Sequence, residues 1–130
     1  MFKIIFSQYH LLFRIAFGLY ALLILWASLR TGGGPHPIEN FDKVMHFTFY
    51  GLFTVIAAGC TSKRKTLISL AIFITCYGIL MEFFQSFIPS RLMSFADIVA
   101  NTSGVIIIMF FFLKYGTFNE KEQIWTSSKL

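Results

Sequence analysis

The chain of 130 residues is 56% hydrophobic, 18% aromatic and only 13% charged, with seventeen phenylalanines and a formal net charge of +5. A soluble domain of this length cannot hide so much apolar side chain, which excludes the ordinary soluble enzymes and binding modules. The positive residues are spread thinly along the edges of apolar stretches, an arrangement that suits anionic lipid headgroups and not nucleic acid.

A helix needs about 20 mostly apolar residues to cross the hydrocarbon core, and four stretches meet that need, at residues 11–29, 44–60, 67–88 and 95–113. Charge, Gly or Pro marks each break. The expected fold is therefore all-α, an integral membrane four-helix bundle forming one domain over residues 1–118, with a polar tail at 119–130. Lys3 precedes the first stretch, but no small-residue cleavage site follows it, so a retained span is expected instead of a signal peptide. Cys60 and Cys76 fall inside expected spans without disulfide or zinc spacing and read as small apolar residues.

Lysine and arginine bias sets the expected orientation. Lys3, Arg14, Lys63, Arg64, Lys65, Lys114, Lys121 and Lys129 fall on one side of a four-span arrangement, and Arg30, Lys43 and Arg91 on the other. Both termini and the "TSKRK" turn are thus expected in the cytoplasm, with "RTGGGPHPIENFD" and "PSRLMS" outside.

The polar residues gather at the outer end. Asp42, His46 and Tyr50 are spaced i, i+4, i+8 along one face of the second span. Glu82 and Gln85 lie near the outer end of the third, Asp97 and Asn101 open the fourth with Gly104 a turn further on, and Arg91 sits between. A charge facing lipid costs at least about 2.5–3.5 kcal/mol near a helix centre, so these faces are expected to turn toward one another as an outward polar cup. Plainer roles stand beside this one. Asp42 could cap the second helix, and Ser94 with Asp97 resembles a capping box. Glu82, about 10 Å along the helix from Pro89, needs a partner, and Arg91 could form a purely structural bridge with it. Gln85 and Asn101 could be interhelical glue, while Gly51, Gly59, Gly78 and Gly104 permit close helix contact. The phenylalanine runs are expected to face lipid or pack, and Tyr20, Trp26, Tyr115 and Trp125 suit interface anchors.

Three blocks in order over residues 42–104, "DKVMHFTFYGLF", "GILMEFFQSFIPSR" and "SFADIVANTSG", resemble the signature of the VanZ-like family of small bacterial membrane proteins. Its D-K-x-x-H-F falls on Asp42, Lys43, His46 and Phe47, its G-x-x-x-E-x-x-Q on Gly78, Glu82 and Gln85, its Arg on Arg91, and its D-x-x-x-N-x-x-G on Asp97, Asn101 and Gly104. The family is named for a protein that gives low-level resistance to the lipoglycopeptide teicoplanin. The resemblance implies a multi-pass protein of the bacterial cytoplasmic membrane with a link to the cell envelope, and it implies no particular reaction.

Three functions compete. In the first, the cup binds a membrane lipid, a lipid-linked envelope precursor or the acyl end of a lipoglycopeptide. Arg91 and Lys43 would hold an anionic headgroup, and Asp42, His46, Tyr50, Glu82, Gln85, Asp97 and Asn101 would supply the remaining polar contacts. In the second, His46 with Glu82 or Asp97 acts as acid and base on a lipid-linked substrate. A hard-metal variant of that enzyme would use His46, Glu82, Asp97 and Asp42 as ligands. No H-E-x-x-H motif, nucleophile elbow or P-loop is present, so neither a metal nor a cofactor is expected. In the third, the cluster only holds the helices together in a membrane assembly. A purely structural network should satisfy itself, whereas a binding site should hold more polar groups than one another can satisfy.

Overall fold

The computed structural model describes residues 9–31, 40–89, 91, 93–116 and 118. Four helices follow one another, α1 (His10–Leu29), α2 (Phe41–Gly59), α3 (Arg64–Gln85) and α4 (Phe95–Tyr115). The all-α four-helix bundle expected from the apolar stretches is the fold observed. Most of the "RTGGGPHPIENFD" loop, together with Lys3, Trp125 and the polar tail at 119–130, lies outside the described residues.

Local chemistry places the helix ends. At the end of α3 the amides of Ser86, Phe87 and Ile88 each reach back three residues, to Phe83, Phe84 and Gln85, at 3.2, 3.2 and 3.0 Å. This tighter winding ends the helix at Gln85, ahead of the expected 88, because Pro89 disfavours helical backbone in the residue before it. Ser94 caps α4, its Oγ accepting from the Asp97 amide at 3.4 Å, so the serine half of the expected capping box forms. α2 differs from expectation. Its N-cap is Asn40, at φ 60°, a left-handed conformation that Asn tolerates. Asp42 is therefore not the cap but an acid in the first turn, where the positive end of the helix dipole favours it.

Helices α1, α3 and α4 are each long and apolar enough to cross a membrane. α2 is not among them, because Asp42, Lys43 and His46 lie in its first two turns, and like α3 it packs against all three other helices. Its pairing with α4 is the most extensive in the bundle. The core holds Phe53 and Ile74, both fully buried, and Phe53 is ringed by Phe17, Tyr20 and Tyr77 at centroid distances of 4.6, 5.4 and 6.1 Å. Large apolar side chains such as Leu19, Phe73, Ile106, Phe110 and Phe111 point outward instead. That is the reverse of a soluble bundle and fits hydrocarbon as the surrounding solvent.

Glycine sets the closest approach. A Cβ on Gly104 would overlap the Phe47 carbonyl oxygen and come within 3.0 Å of the Gly51 nitrogen, so α2 and α4 touch backbone to backbone there. Nothing lies within 4 Å of a Cβ on Gly18. Gly18→Ala should therefore raise the melting temperature in detergent, from the roughly 0.5–1 kcal/mol that Gly costs inside a helix relative to Ala. A lower melting temperature would reveal a close neighbour at that face.

At the end away from the polar groups, α1 is fastened by His10. Its Nδ1 pairs with the Gly59 carbonyl oxygen at 2.8 Å and its Nε2 with Ser62 Oγ at 3.1 Å. Arg14 Nε adds a longer bond to the Cys60 carbonyl at 3.4 Å. Further along, the Tyr77 hydroxyl donates to the Ala21 carbonyl at 2.7 Å, tying α3 to α1.

Candidate functional site

Three helices bring polar residues together at one end of the bundle. The first turns of α2 bring Asp42, Lys43 and His46; the last turns of α3 bring Glu82 and Gln85; the first turns of α4 bring Asp97 and Asn101. The turn-by-turn spacing within each helix puts these side chains on inward faces. Glu82, Gln85, Asp97 and Asn101 are buried, and His46 and Lys43 are partly so.

His46 is the hub. Its Nδ1 lies 3.1 Å from Asn101 Oδ1, and since that oxygen can only accept, Nδ1 carries the proton and donates. Glu82 Oε1 stands 3.6 Å from the same nitrogen, too far for a hydrogen bond. On the other side of the ring, Nε2 faces Asp97 Oδ2 at 4.0 Å. Asp97 thus divides its oxygens, since Oδ1 is 3.5 Å from Lys43 Nζ. Lys43 bonds more closely to its neighbour Asp42, at 2.9 Å. That hydrogen bond holds the Asp42 carboxyl below its ordinary range and raises the Lys43 ammonium above its own.

The surplus of polar groups is the distinguishing property. Among the described residues, both carboxylate oxygens of Glu82, Asp97 Oδ1, Asn101 Nδ2 and Arg91 Nε are buried without a hydrogen-bond partner. The Ser94 amide and the Arg91 guanidinium lie within electrostatic reach of Glu82, but neither closes a hydrogen bond or an ion pair with it. The structural Glu82–Arg91 bridge that the sequence allowed is therefore not formed. Tyr50 sits one turn deeper on the His46 face, only 3% exposed, its ring against Gly78, where a Cβ would come within 2.8 Å of it. Gln85 is buried one turn beyond Glu82. His46, Glu82, Asp97 and Asn101 are thus brought directly together, Tyr50 and Gln85 flank them, and Asp42 stands aside with Lys43 at the rim.

The His10 fastening was not legible in the sequence. Its partners are a backbone carbonyl 49 residues away and a serine 52 residues away, and no residue spacing encodes such contacts.

Four helices with apolar outer faces and one buried polar cluster, assembled from three of them at one end, define a helical membrane protein. The chain matches the family model described as VanZ/LLP1 over residues 2–118. It belongs to this family. Searches of curated proteins and of solved structures gave no match.

Proposed function

We propose that the protein binds an amphiphile with an anionic headgroup, a membrane lipid or a lipid-linked envelope precursor, at the polar end of the bundle. In this reading all four helices cross the bacterial cytoplasmic membrane, both termini face the cytoplasm, and the site opens to the outer leaflet. The observation that carries it is the set of buried polar atoms without hydrogen-bond partners among the described residues, on Glu82, Arg91, Asp97 and Asn101. A buried polar group left unpaired costs about 1–3 kcal/mol, more if charged. A network serving only to hold helices together would have no use for five such atoms.

Arg91 and Lys43 would hold the headgroup, the first through its planar fork and the second as a point charge. The acyl chain would run along the apolar outer faces of neighbouring helices. The acyl-bearing end of a lipoglycopeptide belongs to the same chemical class, which is the link to glycopeptide resistance that the family's name suggests. A second reading, acid–base turnover of the bound lipid, is favoured by His46 standing between Glu82 and Asp97 at 3.6 and 4.0 Å.

Native mass spectrometry of the detergent-purified protein tests the binding reading. Wild type should carry a defined phospholipid or lipid-linked sugar, and Arg91→Ala should lose at least about tenfold in its retention, the loss of a charge-assisted contact, with melting temperature nearly unchanged. Equal retention by the two proteins, or a bare wild type, would refute it. Release of a modified lipid on incubation would bring in the second reading.

A further inference from the structure

We propose that His46, Glu82 and Asp97 form a binding site for one divalent transition-metal ion of the Mn²⁺ or Zn²⁺ type, held between α2, α3 and α4. The three side chains offer one imidazole nitrogen and two carboxylate oxygens, all within 4.8 Å of one another. Ligands around one such ion lie about 2.0–2.2 Å from it, so any two must come within roughly 4.2 Å. The residues stand roughly half an ångström outside that limit, and Glu82, whose Oε1 lies 3.6 Å from Nδ1, would have to swing toward Nε2 to share an ion with it and Asp97.

Three independent features point to a cation at this place. The first is Glu82, which is 1% exposed and has both oxygens unpartnered beside His46. A carboxylate buried in this way needs a positive charge, and Arg91 does not close on it. The second is the orientation of His46. Asn101 Oδ1 takes the proton of Nδ1 at 3.1 Å, which leaves Nε2 as the nitrogen with a free lone pair, turned toward Asp97 Oδ2. On a neutral imidazole that lone pair, 4.0 Å from a carboxylate oxygen, is placed to share a cation with it. Asn101 thereby acts as a positioning residue, fixing the tautomer as the outer partner of a metal-bound histidine does.

The third feature is charge. Lys43 is already engaged with Asp42, at 2.9 Å, and reaches Asp97 only at 3.5 Å and only on Oδ1. Asp42, Glu82 and Asp97 outnumber Lys43 and Arg91 by one negative charge, and because Arg91 does not close on Glu82 that charge is left for a bound cation to offset. The mixed nitrogen and oxygen donor set favours Mn²⁺ or Zn²⁺ over Ca²⁺, which prefers oxygen alone. Because the ligands come from three helices, no local motif could have announced the site, and the expectation from sequence that no metal is needed rested on that missing motif.

The site goes beyond the headgroup reading and is tested apart from it. Full-length protein, delipidated in detergent and stripped with a chelator, is titrated with MnCl₂ while free Mn²⁺ is followed by electron paramagnetic resonance; ZnCl₂ uptake is measured by elemental analysis. One ion per chain is expected on wild type, with a rise in melting temperature on saturation. Glu82→Gln and Asp97→Asn should each bind at least about tenfold more weakly and lose that rise. Arg91→Ala, which removes a repelling cation near Glu82, should bind Mn²⁺ at least as tightly as wild type even where it has lost lipid, which separates the two readings. Should the ligand variants not fold, spin-echo modulation from a single imidazole nitrogen on Mn²⁺ in wild type carries the test alone. No uptake of either metal overturns the proposal, as does bound Mn²⁺ without nitrogen coupling, or uptake that Glu82→Gln and Asp97→Asn leave unchanged.

Discussion

Glu82→Gln, free of lipid and metal, should melt at or above the temperature of the equally stripped wild type while losing the ability to bind either ligand. Glu82 is enclosed with neither oxygen hydrogen-bonded. Apart from His46, the cluster sets three acids, Asp42, Glu82 and Asp97, against two permanent cations, Lys43 and Arg91, so removing the Glu82 charge brings these groups into balance. The amide keeps the shape and still accepts and donates. Relief of an unpaired buried charge contributes about 1–3 kcal/mol, whereas breaking a buried pair that supports the fold costs about 3–5 kcal/mol. The two cases differ in sign, so thermal unfolding in detergent decides between them. A fall of several kcal/mol in Glu82→Gln would make the carboxylate a structural member and sink the binding reading of the surplus.

Gly104→Leu should be the most damaging single change in the apolar part of the bundle. Even a methyl there would overlap the Phe47 carbonyl, and backbone cannot step aside as a flexible side chain can. Overpacking typically costs about 1–3 kcal/mol, and a full leucine between two backbones belongs at the top of that range or above it. The damage reaches function because the same crossing sets the distance between His46 on α2 and Asn101 on α4, 3.1 Å apart. The expected result is a sharply lowered melting temperature, together with loss of Mn²⁺ uptake in whatever fraction remains folded. A Gly104→Leu protein as stable as wild type would show that α2 and α4 can separate there without consequence, which the observed packing forbids.

The bundle was legible because lipid-facing helices need long apolar runs, and those runs survive in the sequence whatever the packing. The helix ends near the polar cluster were less so. Pro89 made an end to α3 predictable, but how far the tighter turn before it would unwind depended on backbone bonding that no spacing encodes. Asp42 looked like a cap by its position ahead of the apolar run, yet Asn40 takes that role because it accepts the left-handed conformation that begins the helix. Within the site, the shared end of Asp42, His46, Glu82, Asp97 and Asn101 could be read from helix direction alone. Pairing could not. Arg91 and Glu82 are near one another in the chain and opposite in charge, and still the sequence carries no information about whether a loop delivers the guanidinium to the carboxylate.

α2 carries a consequence for how such a protein is made. It alone among the four described helices falls short of the apolarity of a membrane span, and it holds Asp42, Lys43 and His46, whose partners Glu82, Asp97 and Asn101 lie later in the chain. During synthesis it emerges before any of them. If all four helices cross the membrane, its polar face stays unpaired until α4 arrives and the Gly51–Gly104 contact can close. A chain halted after α3 would thus carry the polar face of α2 without Asp97 and Asn101, its partners on α4.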